Sequence, residues 1–498
     1  MKNLLIMLIL SINISKAQEY FKGTVNIQSK NKEFIDKLFI QSLANQRVIP
    51  DATVQRLFSK NKLLKIHQTY EGTKNEYLKQ FYTIYFDGDH NEFLNNAKES
   101  RKNGDIDSVF QFRKPILNFD PSDAMYGNLP LRNDWLWHLN NIEASAAWDI
   151  TRGTNTVTIA VVDDGFDTNH PDLSGKININ DPRSGVALRN GNGHGTATSV
   201  YAAGITNGNG DIASIGFNTN LRGYLSDFGV ENAHRASLID GARIVSISWH
   251  YACSFAEVSQ QHRDAIAEIL NNGTVIVASA GNGNIHCNGG ETFPFANTLD
   301  SRIIKVTSIS SNNNHENSAS HYPQIDICAP GNRMGTAINT TNANGSQVSY
   351  PYALGWGTSY ATPIVAGIVG LMLAANPCLT VNQVSNIIAR TALPVSDEAQ
   401  FSGLLGAGRI NAYRAVKEAV TLYIQNTTTP NFTINTSRPF INIGSDVDFR
   451  QTLGPVKLVS GTKWTINARE VEIKNDFEVP LGAELTINTS PTQPLGCP

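Results

Sequence analysis

Cysteine, long apolar runs and an excess of one charge are all scarce in this sequence, and each scarcity excludes a class of protein. The five cysteines form no CxxC pair, which argues against a dense disulfide scaffold and against a zinc site, and their odd number leaves at least one unpaired or intermolecular. Beyond the first residues, no stretch supplies the roughly 20 apolar residues of a membrane span. A formal net charge of −3 gives no reason to expect nucleic acid or an anionic membrane as a partner.

The composition is that of an ordinary globular protein, with 41% hydrophobic and 17% charged residues. A chain of 498 residues is long enough for two to four domains. Residues 1–17, MKNLLIMLILSINISKA, combine a basic residue, an apolar run and a small-residue ending, which is the pattern of a secretory signal peptide. We therefore expect the protein to be secreted, either free outside the cell or at the cell surface.

Four regions are predicted after the signal peptide. Residues 18–120 contain a strand-like run at Phe81–Phe86 followed by a polar helical segment, which predicts a small α+β region, and residues 121–134 are rich in turn formers and predict a linker. Residues 135–420 alternate β-branched runs with helical segments, which predicts an α/β fold: a doubly wound parallel sheet with helices on both faces. Residues 421–498 alternate apolar and polar side chains and predict a small β-rich domain. The predicted buried strands are Thr156–Val162, Ala242–Ser248, Thr274–Ala280 and Arg302–Ile309.

Four polar residues lie where a predicted strand or helix begins or ends. Asp163 directly follows the first buried strand, and His194 in GNGHGTAT opens a helix. Ser359 in GWGTSYATP precedes the apolar helix Ile364–Ala375, and unpaired N–H groups at a helix N-terminus favour a developing oxyanion. Asn282 ends the strand of ASAGN, where its amide can donate to the same oxygen. Each residue taken alone is more simply explained as a turn, cap or loop residue.

Together and in this order, the segments VVDDG, NGHGTAT, SAGN and GTSYATPIVAG resemble the Asp, His, Asn and Ser motifs of the subtilisin-like serine peptidases. The resemblance extends over roughly Trp135 to Val420, where WLWHLNNIEASAAWDITRG, HPDL and GAGRINAYRAV resemble further landmarks of the family. It implies a secreted serine endopeptidase that hydrolyses peptide bonds through an acyl-enzyme intermediate, with broad specificity.

The resemblance also implies a role for each residue of the catalytic set. Ser359 corresponds to the nucleophile, His194 to the base that takes its proton, and Asp163 to the carboxylate that orients the imidazole. Asn282 and the Ser359 backbone N–H correspond to the oxyanion hole. Asp163 is preferred to Asp164 because it comes first after the apolar strand, as the family's catalytic aspartate does.

Substrate-binding positions follow from the same resemblance. The family binds the substrate main chain as an added strand, which corresponds here to Ser248, Trp249 and His250. Glycine is usual at position 250, so His250 is expected to narrow the cleft or to contact substrate. Gly281 and Phe295 are expected to border the primary side-chain pocket, and Phe295 stands where a small residue is common, which shortens that pocket.

Three alternatives remain open, and one of them treats the whole chain as a surface adhesin led by its β-rich C-terminal region. The pair Asp163–Asp164 also resembles the kexin-like branch, which processes proproteins after basic residues. The acidic group expected just before Cys287 is missing, since Ile285 and His286 stand there, and this favours broad cleavage. The alternative from another class is a binding protein that keeps the fold but has lost activity.

The resemblance implies no cofactor for the chemistry, but it implies a structural calcium ion. Asp172 of HPDL and residues 207–211 correspond to its oxygen ligands. Residues 18–120 correspond to a propeptide that aids folding and inhibits the enzyme until it is removed. The expected partners are therefore protein or peptide substrates and the chain's own propeptide, and the enzyme is expected to be a monomer.

Overall fold

A computed structural model of the chain forms two compact units, residues 1–117 and 118–498. The structure describes residues 20–43, 51–68, 76, 78–113, 121, 123, 135–179, 193–208, 210–249, 259–283, 300–341, 346, 348, 351–429, 431–448 and 451–489. The predicted signal peptide therefore lies outside the described residues.

The first unit is an antiparallel sheet with helices packed on it. Its four described strands are ordered β2-β3-β1-β4, and a core that includes Ile27, Leu38, Ile84 and Phe93 lies between sheet and helices. In chain order the elements are β1 Tyr20–Gln28, α1 Lys32–Leu43, α2 Ala52–Leu57, β2 Lys62–Gln68, a 3-10 turn at Leu78–Gln80, β3 Phe81–Asp87, α3 His90–Lys102 and β4 Ser108–Arg113.

The second unit is built on a parallel sheet of seven described strands. These strands are β5 Thr158–Asp163, β6 Ile177–Ile179, β7 Asn220–Leu225, β8 Ile244–Ile247, β9 Val275–Ser279, β10 Ile304–Ile309 and β11 Ile327–Pro330. Their order is β11-β10-β9-β8-β5-β7-β6, and every described pairing is parallel. An antiparallel hairpin of β12 Met334–Ala337 and β13 Tyr352–Gly355 follows. This architecture confirms the predicted doubly wound α/β fold.

Helices cover the sheet and bury its apolar faces in one large core. They are α4 Trp137–Asn141, α5 Ala144–Ile150, α6 His194–Ala203, α7 Gly229–Leu238, α8 Gln260–Asn271, α9 Thr358–Ala375, α10 Val381–Thr391 and α11 Ala412–Val420, with 3-10 turns at Ser226–Phe228 and Glu398–Phe401. Among the described residues α9 is long and apolar enough to cross a membrane. Some 89% of that segment is buried inside the fold, as expected for a core helix.

Strand β5 lies at the point where the order of the sheet reverses. All six of its residues are buried because β5 is flanked by β7 and β8 and covered on both faces, which explains its run of Val, Ile and Ala. Ligands of open α/β sheets bind beside the carboxyl ends of the strands at such a reversal. Asp163, the last residue of β5, stands there.

Helix α9 begins six residues before the predicted start at Ile364. It includes Pro363, which lacks an N–H and so cannot donate to the carbonyl of Ser359 four residues earlier. That carbonyl instead accepts the hydroxyl of Ser248 at 2.9 Å. The proline is therefore tolerated because a side chain from β8's carboxyl end takes over the missing hydrogen bond.

After α11 the chain forms three stacked turns of a parallel β-solenoid. The first turn contains β14 Thr421–Ile424, β15 Thr427–Thr428 and β16 Thr433–Ser437; the second β17 Phe440–Ile443, β18 Val456–Lys457 and β19 Lys463–Ala468; the third β20 Glu470–Ile473, β21 Phe477–Glu478 and β22 Glu484–Thr489. Corresponding strands pair in parallel from turn to turn and form three three-stranded sheets.

Apolar side chains from equivalent positions stack inside the solenoid. Ile434, Trp464 and Leu485 are in register on the third sheet, and the Trp464 indole donates to the hydroxyl of Thr436 at 2.9 Å. The solenoid core is separate from the main core, although Phe440 packs into the latter. The predicted β-character is observed here, and the repeated parallel turns are a feature that the sequence analysis did not anticipate.

Two cysteines lie in the described residues. Cys328 in β11 is a buried free thiol, and Cys378 after α9 is disulfide-bonded.

Candidate active site

The side chains of Asp163 and His194 meet at the carboxyl end of β5. Nδ1 of His194 lies 2.7 Å from Oδ1 of Asp163, and the carboxylate is buried while the imidazole remains 30% exposed. Because the carboxylate accepts a hydrogen bond from the Nδ1–H group, the other ring nitrogen, Nε2, points away from Asp163 and has no hydrogen-bond partner among the described residues. The arrangement fixes both the orientation and the tautomer of the imidazole.

Helix α6 supplies a second contact to the same carboxylate. Thr198 lies one helical turn after His194, on the same face of α6, and its hydroxyl donates to Oδ2 of Asp163 at 2.9 Å. The N–H of Asp164 donates to Oδ1 at 2.8 Å. The sequence analysis missed Thr198, although its spacing of four residues from His194 in HGTAT is the signal that would have found it.

Gly195 explains how closely α6 approaches β5. A Cβ atom at this position would lie 2.2 Å from the carbonyl oxygen of Gly165 and 3.1 Å from the Cβ of Asp163. Any larger residue would push the helix away from the strand. The glycine after the histidine is therefore required by the contact between His194 and Asp163.

The charges of this pair stabilise each other. Asp163 raises the pKa of His194 to about 9, against the opposing effect of burial, and Asp164 adds to the increase. Burial by itself would raise the pKa of Asp163, but the charge of His194 and the hydrogen bonds from His194, Asp164 and Thr198 lower it overall. The negative charge of Asp163 therefore favours the protonated form of the imidazole, and the imidazole favours the ionised form of the carboxylate.

Asp164 lies beside the pair without replacing Asp163 in it. Its carboxylate accepts the N–H of Gly195 at 3.1 Å, and burial together with the charge of Asp163 raises its pKa to about 6. Ligand atoms of Asp163, Asp164 and His194 lie within 4.8 Å of one another, close enough to hold a cation. Among the described residues, the hydrogen bond from Nδ1 of His194 is accepted by Asp163 and not by Asp164.

Ser359 is the second residue of α9, and its hydroxyl is half-buried. Among the described residues this hydroxyl donates to the main-chain oxygen of Ser248 at 3.0 Å, and no hydrogen bond joins it to His194. The two serines thus exchange hydrogen bonds, since the Ser248 hydroxyl donates to the Ser359 carbonyl. His194 nevertheless lies next to this turn, because its ring centroid is 6.0 Å from that of Tyr360.

Asn282 is held against the N-terminus of α9 by its amide oxygen. Oδ1 accepts the N–H and the hydroxyl of Thr358 at 3.0 and 3.2 Å, and because an N–H can only donate, this fixes the orientation of the amide. Nδ2 is left as a donor on the exposed side, 3.1 Å from where a Cβ at Gly357 would lie. Gly357 itself has a φ of +122°, which favours glycine.

The remaining predicted substrate-binding residues differ in what they contact. Gly281 is buried, and its N–H donates to the hydroxyl of Thr358 at 3.1 Å. Trp249 is turned into the fold, where its indole donates to the Val162 carbonyl at 2.8 Å and packs against Gly229. The side chain of Trp249 therefore packs against the fold, next to the end of β5, and holds the backbone of Ser248 and Trp249 in place. His250 and Phe295 lie outside the described residues.

Asp172 lies in a separate group of acidic side chains, in which Asp172 and Asp123 are buried and Asp211 is half-buried. Both its oxygens are buried, Oδ2 has no hydrogen-bond partner, and burial together with the charges of Asp123 and Asp211 raises its pKa to about 7. Asp123 accepts the N–H of Asn207 with both oxygens at 3.0 Å. An unpaired buried oxygen among carboxylates is a chemical environment that suits a hard cation. Asp123, which is distant in sequence, was not predicted as a member of this group.

Comparison with known proteins identifies the family. The model of the subtilase family matches residues 154–412, just over half of the chain. Thermitase from Thermoactinomyces vulgaris is 31% identical over 292 residues, which cover 55% of this chain and 94% of that protein. A thermophilic serine proteinase from Bacillus sp. (strain AK1) is 29% identical over 340 residues, 63% of this chain and 77% of that protein.

The relatives also include a human protein. Proprotein convertase subtilisin/kexin type 7 is 26% identical over 339 residues, which cover 57% of this chain and 41% of that protein. The match to the family model and the likeness to thermitase lead to the same assignment. The chain belongs to the subtilase family and is a serine endopeptidase.

Proposed function

We propose that the protein is a secreted endopeptidase of broad specificity that acts through Ser359, His194 and Asp163. The observation that carries this proposal is the 2.7 Å hydrogen bond between Asp163 and His194, made beside a helix N-terminus that presents Ser359. Asn282 supports it, because its amide is fixed by Thr358 with the donor end directed away from the helix.

The proposed reaction begins when the Ser359 hydroxyl turns from the Ser248 carbonyl to Nε2 of His194. The imidazole takes the hydroxyl proton as Oγ forms a bond to the substrate carbonyl carbon. Nδ2 of Asn282 and the Ser359 N–H donate to the oxyanion of the tetrahedral intermediate. His194 then gives the proton to the leaving amine as the peptide bond breaks, and water hydrolyses the acyl-enzyme by the same steps.

His194 has to be neutral to act as a base. Since Asp163 raises the pKa of His194 to about 9, the base form of the free enzyme increases as the pH rises toward that value. We therefore expect kcat/KM to rise with pH into the alkaline range.

The substrate main chain is proposed to pair with the backbone of Ser248 and Trp249. Broad specificity is favoured because the acidic group that a dibasic pocket needs before Cys287 is missing from the sequence. Processing after basic residues is the second candidate, favoured by the adjacent carboxylates of Asp163 and Asp164 and by the likeness to the human convertase.

The N-terminal part of the chain is proposed to serve export and inhibition. Residues 1–17 would direct secretion, and residues 18–120 would act as a propeptide that is removed by self-cleavage. The proposed mature enzyme is a monomer without a membrane span and requires no cofactor for its chemistry. The antiparallel sheet of the first unit, with a core of its own, is consistent with a separately folding propeptide.

Calcium is proposed as a structural ion near Asp172. Asp172 would supply an oxygen ligand together with groups of residues 207–211. The ion would offset the cost of burying the Asp172 carboxylate and its repulsion with the charges of Asp123 and Asp211. The chemistry of peptide hydrolysis stays with Ser359 and His194.

Replacement of the nucleophile tests the catalytic proposal. Ser359→Ala is expected to lower kcat on a peptide substrate by roughly a million-fold, whereas Asn282→Ala is expected to lower it by about 100- to 1000-fold through loss of one oxyanion donor. Mass analysis of the secreted proteins should find a shortened N-terminus for the wild type and the full precursor for Ser359→Ala. Normal turnover by correctly folded Ser359→Ala would refute the assignment.

Removal of the neighbouring charge tests the electrostatics. Asp164→Asn is expected to lower the pKa of His194, because it deletes one of the two anions that raise it, and so to move the acid limb of kcat/KM to lower pH. The pKa is measured by NMR titration of the imidazole and the limb by a pH–rate profile. Asp264→Asn, the same charge change at an exposed site on α8, serves as the control and should leave both unchanged.

Cleavage-site profiling tests specificity. A peptide library digested by the mature enzyme is expected to be cut after many residue types. Mass spectrometry of the products identifies the residue on each side of every cut. Cleavage confined to bonds that follow Lys or Arg would establish the second candidate instead.

Chelation tests the calcium proposal. In Ser359→Ala, which avoids self-digestion, EDTA is expected to lower the melting temperature by roughly 5 to 10 °C relative to calcium at about 100 times its Kd. Asp172→Asn should abolish this difference, and magnesium should not reproduce the effect of calcium. An unchanged melting temperature on chelation would contradict the proposal.

A further inference from the structure

Trp356 is the exposed tryptophan of this protein. All six tryptophans lie in the described residues, and the side chain of Trp356 is 64% exposed while the other five are buried or partly buried. An exposed indole leaves a large apolar surface in water, and tryptophan is enriched where such surface is covered by a ligand. Its position, three residues before Ser359, places it at the rim of the catalytic site.

The backbone on both sides of Trp356 is packed against the protein. A Cβ at Gly355 would lie 2.9 Å from the ring of Tyr360, and the N–H of Gly357 donates to the Gly331 carbonyl at 2.6 Å. Because side chains alternate in extended chain, a buried 355 and a buried 357 direct the side chain of residue 356 outward. The packing of Gly355 and Gly357 therefore keeps the side chain of Trp356 exposed.

The loop that carries Trp356 is joined by packing to the helix of His194, the residue that protonates the departing amine in the proposed reaction. It continues from the β12–β13 hairpin, which packs against the helix of His194, since Tyr201 in α6 donates to the Gly335 carbonyl at 2.8 Å. Tyr360 contacts both His194 and Tyr201, at centroid distances of 6.0 and 5.5 Å. In the proposed function the acyl half of the substrate pairs with the backbone of Ser248 and Trp249, after β8, and His194 is the group that must reach the departing amine.

We infer that Trp356 binds the substrate residue that follows the scissile bond and selects large apolar side chains there. This inference rests on the proposed function, because it uses His194 to define the leaving-group side. The expected effect is a preference of at least roughly tenfold in kcat/KM for leucine over glycine at that position, the scale on which a hydrophobic contact discriminates between side chains.

The experiment uses two peptides with one acyl half and either leucine or glycine after the scissile bond, together with the methyl ester of that acyl half. In Trp356→Ala the leucine-to-glycine ratio of kcat/KM is expected to fall toward one, with hydrolysis of the ester lowered far less than hydrolysis of the leucine peptide. Trp356→Phe, which retains an aromatic ring, should keep most of the preference. Phe432→Ala, at a 58% exposed position in the solenoid, should leave all three rates unchanged.

A leucine-to-glycine ratio that survives in Trp356→Ala would overturn the inference, as would an equal loss on ester and peptides. In either case hydrolysis that still depends on Ser359 would leave the proposed function intact. A wild type that hydrolyses none of the three substrates would overturn the proposed function and this inference together.

Discussion

The contact between the buried carboxylate of Asp163 and the imidazole of His194 determines how the rest of the site is arranged. A carboxylate at the end of a fully buried strand loses its hydration, and removing one partner of such a pair typically costs 3–5 kcal/mol. The structure compensates with three hydrogen bonds to one side chain, from His194, Thr198 and the N–H of Asp164. Their geometry requires α6 to begin at the carboxyl end of β5. It also requires a glycine at position 195, because a larger residue would keep α6 away from β5.

A second constraint fixes the other half of the site. Helix α9 is a core helix whose first turn cannot be satisfied by its own backbone, because Pro363 lacks an N–H and Gly357 offers no capping side chain. Ser248 and Asn282, at the carboxyl ends of β8 and β9, make up for these missing partners. The same contacts hold Ser359 and Asn282 at the N-terminus of α9, so the polar groups that stabilise the helix are also the proposed nucleophile and oxyanion donor.

The sequence alone predicted the parts of this fold that are specified by local patterns. The buried strands are visible because a parallel strand covered on both faces needs an uninterrupted β-branched run, as in β5. The start of α9 was placed too late because Pro363 suggests a boundary and its compensation by Ser248 is a contact across 111 residues. Asp123 was missed for the same reason, since its proximity to Asp172 exists only in three dimensions. The solenoid escaped detection because its two-residue strands pair across about 20 to 30 residues without hairpin turns.

The last turn of the solenoid bears on whether a second molecule can add its strands to the end of the first. Within residues 421–489, strands β20 to β22 form an edge that has no further strand paired to it, and such edges invite another chain to add itself. Each of the three strands carries a glutamate that pairs with a lysine on the preceding layer or on α11: Glu470, Glu478 and Glu484. A copy stacking its own first layer there, which brings no lysine in its strands, would leave these anions without new counter-charges. Growth at this edge would therefore have to cover three existing ion pairs without adding a new one.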